Sequence, residues 1–147
     1  MGVGFKMSFK YKRVAFDTMI FIYYFEGNNK YLSLLKRLFE NVEKGKIKAF
    51  TTVVSLSEIL VRPLSLGEIS LADDYKNAIN TFPNLRVLPI NQYMATLAAD
   101  LKSKYKIKLP DAFQLASALI SSSQIFITND KALKKIKEID VVTLEDL

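Results

Sequence analysis

Short apolar runs of strand length recur along this chain, separated by stretches in which apolar residues return every three or four positions. The runs over residues 13–17, 47–51, 85–89 and 124–128 are bounded by polar or turn-forming residues and read as buried strands, with 141–142 as a short fifth. Residues 19–25 form a short apolar helix ending at Gly27. Leu32, Leu35, Leu38, Phe39 and Val42 then lie at helical spacing, with Asn28 or Asn29 as cap and Gly45 as stop. Further helices are predicted over about 52–61, ending ahead of Pro63, over about 70–80, over 91–104 with Leu97, Ala98 and Leu101 on one side, and from Pro110 to about 121. Residues 131–138 read as a last, lysine-rich helix. Strands alternating with helices predict βαβ units, hence an α/β fold with a parallel sheet of about five strands covered on both faces. In such sheets ligands bind beyond the carboxyl ends of the strands.

The 147 residues suit one domain with one core, and no linker, repeat or low-complexity stretch divides them. Residues 1–12 are expected to be an extended N-terminal segment, with Met7 an alternative start. The longest apolar stretch, residues 14–25, contains Asp17 and is too short to span a membrane. Lys6 stands where a myristoylation signal requires Ser or Thr.

Composition removes most chemistries. With no His, neither a Ser–His triad, a paired-imidazole ribonuclease site nor an H-E-x-x-H zinc site can form. With no Cys, thiol nucleophiles, disulfides, zinc fingers and iron–sulfur clusters are excluded, and a reducing cytoplasm is the expected location. What remains is carboxylates, hydroxyls, amides, Lys and Arg, a donor set suited to hard ions such as Mg²⁺ and Mn²⁺. The charge, 21 basic minus 15 acidic or +6, fits a polyanionic partner as well as simple solubility.

Four acids stand out against apolar surroundings. Asp17 ends the first strand, where it could equally cap the next helix. Glu58 falls in Ser55-Leu56-Ser57-Glu58, which also matches a capping box, and it lies one turn from Arg62. Its helix is expected to be mostly buried, so the carboxylate needs a partner. Asp111 opens an otherwise small and apolar helix, where an acid also suits the helix dipole. Asp130 follows the fourth strand and could cap the lysine-rich helix. Taken singly, each admits a capping role. Taken together, carboxylates gathered at one sheet edge without a cation would repel and take up protons, a strain that a divalent ion relieves.

Ala15-Phe16-Asp17-Thr18-Met19-Ile20-Phe21, Leu56-Ser57-Glu58-Ile59-Leu60, Leu109-Pro110-Asp111-Ala112-Phe113-Gln114-Leu115-Ala116 and Ile127-Thr128-Asn129-Asp130 resemble, in order and spacing, the motifs of PIN-domain ribonucleases, most closely the VapC-type toxins of toxin–antitoxin pairs. Met19 departs from the Asn common in the family. The resemblance implies a PIN-like three-layer α/β/α fold with a central, mostly parallel sheet. It implies that Asp17, Glu58, Asp111 and Asp130 hold Mg²⁺ or Mn²⁺ and catalyse phosphodiester hydrolysis, with Thr128 beside them and Thr18 orienting water or substrate. It further implies an RNA substrate such as tRNA, a homodimer and a cognate antitoxin. Lys102, Lys104, Lys106 and Lys108 lead into Asp111, and Lys106 and Lys108 are the candidates nearest it for phosphate contact. Lys131, Lys134, Lys135 and Lys137 form a second cluster. A phosphoacceptor domain or an Asp-x-Asp phosphatase would need a second acid where Thr18-Met19 follows Asp17. A housekeeping RNA-processing nuclease and an inactive PIN-like binding module remain as alternatives.

Overall fold

The computed structural model describes residues 10–147; the expected N-terminal extension and the alternative start at Met7 lie outside them except for residues 10–12. Five strands, β1 (Arg13–Phe16), β2 (Lys48–Thr52), β3 (Leu85–Leu88), β4 (Ile125–Thr128) and β5 (Asp140–Thr143), form one sheet in the order β3-β2-β1-β4-β5. Every pairing is parallel. The connections carry helices α1 (Thr18–Glu26), α2 (Leu32–Glu43), α3 (Val53–Ser65), α4 (Ile69–Thr81), α5 (Gln92–Tyr105) and α6 (Leu109–Ile120). The chain moves outward from β1 through β2 to β3, then returns to β4 on the other side of β1. The strand order therefore reverses between β1 and β4, where open α/β sheets form their ligand crevice.

Alternation along the strands divides the core in two. Val14, Phe16, Ile125 and Ile127 meet Ile20 of α1 and Leu35, Leu38 and Phe39 of α2 on one face. Ala15 and Phe126 meet Met94 and Leu101 of α5 and Leu115 of α6 on the other. The result is the expected three-layer α/β/α arrangement.

Four local expectations are corrected. Residues 131–138 do not make an α-helix: a 3₁₀ turn, Lys131–Lys135, is followed by an extended Ile136. The buried residues Leu133, Ile136 and Ile139 recur every three positions, which suits a tighter or extended course better than 3.6 residues per turn. Helix α3 runs through Pro63 to Ser65, and it buries only Ser55, Ile59 and Pro63 rather than most of its length. Helix α2 starts at Leu32 with Tyr31 as cap residue, while Asn28 accepts the N–H groups of Lys30 and Tyr31 at 3.0 and 3.3 Å and turns the chain into it.

Candidate active site

The site is built at the carboxyl ends of β1, β2 and β4. Asp17 follows β1, and its N–H donates to Ile127 O at 2.9 Å, fastening the ends of β1 and β4 together. It caps α1: Oδ1 accepts the Thr18 N–H at 2.8 Å, and Oδ2 accepts the Thr128 hydroxyl at 2.6 Å. Burial pushes the Asp17 carboxyl up to about 6, against the pull of its bonds from Thr128 and Thr18, and the negative charges of Asp111 and Glu58 push it the same way. No cationic side chain offsets that burial among the described residues.

Glu58 is held by a chain of hydroxyl and amide groups. The Thr52 hydroxyl donates to Gln114 Oε1 at 3.2 Å. Gln114 Nε2 donates to Ser55 Oγ and, at 3.2 Å, to Thr18 Oγ1. Thr18 Oγ1 donates to Glu58 Oε1 at 2.6 Å, so in the 2.9 Å contact between Ser55 and Thr18 it is Ser55 that donates. Each hydroxyl has one proton to give, so the bonds run in one direction and end on the carboxylate. The four groups that lead to Glu58, namely Thr52, Gln114, Ser55 and Thr18, are all buried, while Glu58 itself reaches solvent.

Asp111 lies in the first turn of α6, half-buried. Desolvation raises its carboxyl, the charges of Asp130 and Glu58 add to the rise, and Lys108 opposes it. No hydrogen bond reaches that carboxylate among the described residues. Asp130 Oδ1 accepts the Ala132 N–H at 2.9 Å and so caps the 3₁₀ turn, while the Asp130 N–H donates to Thr128 Oγ1 at 3.1 Å.

Asp111 thus lies within electrostatic reach of the other three acids, and Asp17 within reach of Glu58. The four do not close on a point: among the described residues, no three His, Cys, Asp or Glu side chains stand close enough to enclose an ion. Capping and convergence prove compatible for Asp17 and Asp130, which do both. For Glu58 the capping box is not formed, because Thr52 is the cap of α3 and accepts the Val54 N–H at 3.1 Å, with Ser55 already inside the helix. Among the described residues, Glu58 and Arg62 make no ion pair.

The hydroxyls of Thr18 and Thr128 are committed to Glu58 and Asp17, and both residues are buried. In this structure the Thr18 hydroxyl is thus held against Glu58 and the Thr128 hydroxyl against Asp17. Of the lysines leading to Asp111, Lys102 Nζ donates to Ile107 O at 2.8 Å and Lys104 pairs with Glu138 at 3.0 Å. Lys106 and Lys108 stay exposed beside the start of α6. In the second cluster, Lys131 pairs with Glu145 and Lys134 with Asp146, at 3.4 and 2.6 Å. Sequence reasoning missed Gln114, Ser55 and Thr52. The available signal was a lone amide in the apolar helix that starts with Asp111.

The profile of the PIN domain matches residues 14–139. The chain belongs to the PIN-domain family. PIN domains are generally nucleases. Among solved structures, this PIN domain superposes on a chain of a toxin–antitoxin complex from Klebsiella pneumoniae with a TM-score of 0.68 at 24% identity, covering 91% of this chain and 99% of that one. VapBC2 from Rickettsia felis, bound to a DNA fragment from its promoter, gives 0.69 at 13% identity, with 89% and 98% covered. FitAB bound to an IR36 DNA fragment gives 0.73 at 17% identity, with 91% and 96% covered. At these identities the likeness is one of fold. No curated protein is significantly similar in sequence. Among the described residues, no helix of this PIN domain is long and apolar enough to cross a membrane.

Proposed function

We propose that this PIN domain is an endoribonuclease dependent on Mg²⁺ or Mn²⁺, the toxin of a toxin–antitoxin pair that acts in the cytoplasm on tRNA or other structured RNA. The observation that carries this reading is Asp17. Its desolvated carboxyl, raised to about 6, faces the charges of Glu58 and Asp111 at the reversal of strand order, with no cationic side chain among the described residues to offset them. An all-oxygen donor set in a chain without His or Cys fits a hard divalent ion. Asp17, Glu58 and Asp111 would hold it, with Asp130 completing the set.

Such an ion supplies a nucleophile at neutral pH and stabilises charge on the phosphoryl oxygens. The chain's own groups do the positioning. Thr128 holds one oxygen of Asp17, and the Thr18 N–H holds the other. The Thr18 hydroxyl turns Glu58 towards the same edge. Lys106 and Lys108 offer phosphate contacts beside Asp111, which would add affinity without sequence preference.

The kinship in fold with chains of toxin–antitoxin complexes supports an antitoxin partner, and a homodimer is what the sequence resemblance implies. A cavity of about 240 Å³ next to Glu58, lined by Met19, Ile22, Phe25, Ile59 and Tyr75, suits one face of an amphipathic antitoxin helix. Val61, Leu64, Leu66 and Ile69 expose apolar surface suited to a second copy.

The test is cleavage of a labelled tRNA pool with and without Mn²⁺ or Mg²⁺, comparing the wild type with Asp17→Asn and Asp111→Asn. Metal-dependent cutting that both substitutions abolish in folded protein supports the nuclease. A preparation verified to be free of antitoxin that binds no metal and cuts nothing makes the inactive binding module the better account.

A further inference from the structure

At the opposite end of the sheet from the acids, the amino-terminal ends of β1, β2 and β3 frame a basin of about 310 Å³. Arg13, Lys48, Phe50 and Arg86 line it, and among the described residues no acidic side chain does. The register explains how they come together: Arg13 lies opposite Lys48, and Phe50 opposite Arg86. Alternation sends all four side chains to the face away from Val14 and Ala49. Two like charges directly opposite one another weaken a sheet, so this juxtaposition costs stability unless an anion joins it.

Arg13 is also aimed. Its Nε and Nη2 both donate to Ser121 O, and its guanidinium carbon sits 4.6 Å from the centroid of the Phe50 ring. A guanidinium has five N–H donors, so three remain free of these bonds in a group whose orientation is already fixed. Lys48 and Arg86 are exposed and make no ion pair among the described residues. The basin therefore presents a fixed fork and two mobile cations around an aromatic floor, a set of donors suited to phosphate oxygens.

We propose that this basin is a second phosphate-binding subsite, which holds the backbone of a folded RNA while the acid edge engages the bond to be cut; this rests on the ribonuclease reading above. The two sites lie at opposite ends of the same strands. From Lys48 to Thr52 the chain rises about 13 Å, at roughly 3.3 Å per residue. A dinucleotide seated at the acids does not reach the basin, whereas the breadth of a folded RNA does. The basin then contributes affinity for structured substrates and none for short ones.

The experiment compares the wild type, Lys48→Gln/Arg86→Gln and a control with the same charge removed elsewhere, Lys36→Gln/Lys76→Gln. Binding to a labelled tRNA pool is followed by fluorescence anisotropy in EDTA over a range of salt concentrations. Cleavage of a dinucleotide substrate, too short to span the two sites, is measured separately with Mn²⁺. The basin variant should bind tRNA about tenfold or more weakly at low salt, with a salt slope shallower by roughly 0.7 for each phosphate it no longer neutralises. The control should stay near the wild type, and short-substrate cleavage should be unchanged in both. Equal binding and equal slopes for the basin variant and the control overturn the subsite, as does a wild type that binds no RNA. If the wild type cuts nothing yet the basin variant alone loses tRNA binding, the subsite stands and the nuclease reading falls. If the wild type cuts and the basin variant binds normally, only the subsite falls.

Discussion

Thr18 and Glu58 are joined by a 2.6 Å hydrogen bond from the threonine hydroxyl to Oε1, while the backbone N–H of the same threonine donates to Asp17 Oδ1 at 2.8 Å. One residue thus sets two of the four acids, with different atoms. The groups behind it, Gln114, Ser55 and Thr52, serve only the Glu58 side of that arrangement.

Thr18→Val separates the two roles. The backbone N–H to Asp17 remains, but Glu58 loses its donor and the Gln114 amide loses an acceptor. Leaving the buried Gln114 amide and Ser55 hydroxyl short of an acceptor costs about 1–3 kcal/mol, read as a lower denaturant midpoint. RNA cleavage should fall at least ~10-fold, since a shift of about 1.4 kcal/mol in transition-state positioning is already that large. A variant with wild-type midpoint and wild-type rate refutes the assignment of Thr18 as the positioning residue.

Gln114→Leu tests the chain behind Thr18. It strands the Thr52 hydroxyl and removes the donor to Ser55, again at about 1–3 kcal/mol. Because the two positions share one network, Thr18→Val/Gln114→Leu should destabilise by less than the sum of the single changes, with a coupling of roughly 0.5–3 kcal/mol. Simple additivity in urea titrations of the four proteins would mean that the network is not a unit.

Asp17 also gives a pH signature. Its carboxyl titrates near the ordinary value of 3.8 when unfolded and near about 6 when folded. Between those values the folded state binds more protons, so the stability of metal-free protein falls as pH rises through the window and is level above it. Asp146, lowered to about 2 chiefly by its bond from Lys134, acts below that window: its contribution is present above 3.8 and is lost as pH falls towards 2. Melting curves in EDTA from pH 4 to 7 should show the decline in the wild type and its loss in Asp17→Asn. At neutral pH that variant should be the more stable by roughly 1–3 kcal/mol, since it no longer buries a charge. An Asp17→Asn curve parallel to the wild type would place the titrating group elsewhere.

Thr128→Val removes the bond that pulls the Asp17 carboxyl down, so its titration moves above about 6. Uptake of Mn²⁺ requires the ionised carboxylate. In calorimetric titrations, the pH at which binding reaches half strength should therefore rise relative to the wild type. An unchanged midpoint would show that Thr128 does not govern Asp17.

Much of this site was legible in the sequence because its acids sit where strand patterns end. Asp17 and Asp130 follow apolar runs, so a parallel sheet alone brings them towards one edge; Asp111 stands out as the only charge in its helix, but its place at that edge depends on the topology. Glu58 was legible as a site residue but not in its support. Ser55-x-x-Glu58 mimics a capping box, and only the fold shows that Thr52 is the cap and that Ser55 points inward to Gln114. Bonds such as Thr52 to Gln114 join residues 62 positions apart and have no local pattern. The stretch from Lys131 to Ile139 misled for the opposite reason. Its local composition is helical, but its three buried side chains are spaced three apart and must follow the sheet edge down to β5.

The Thr128 bond to Asp17 spans 111 positions of the chain, and β1 stays unpaired on one side until β4 arrives. At a synthesis rate of about 5–20 residues per second, roughly 5–20 s separate the appearance of these two residues on the ribosome. The acid edge cannot be completed during that interval. A nascent chain thus emerges with its acid edge unassembled, and that edge forms only once β4 has been made and has paired with β1.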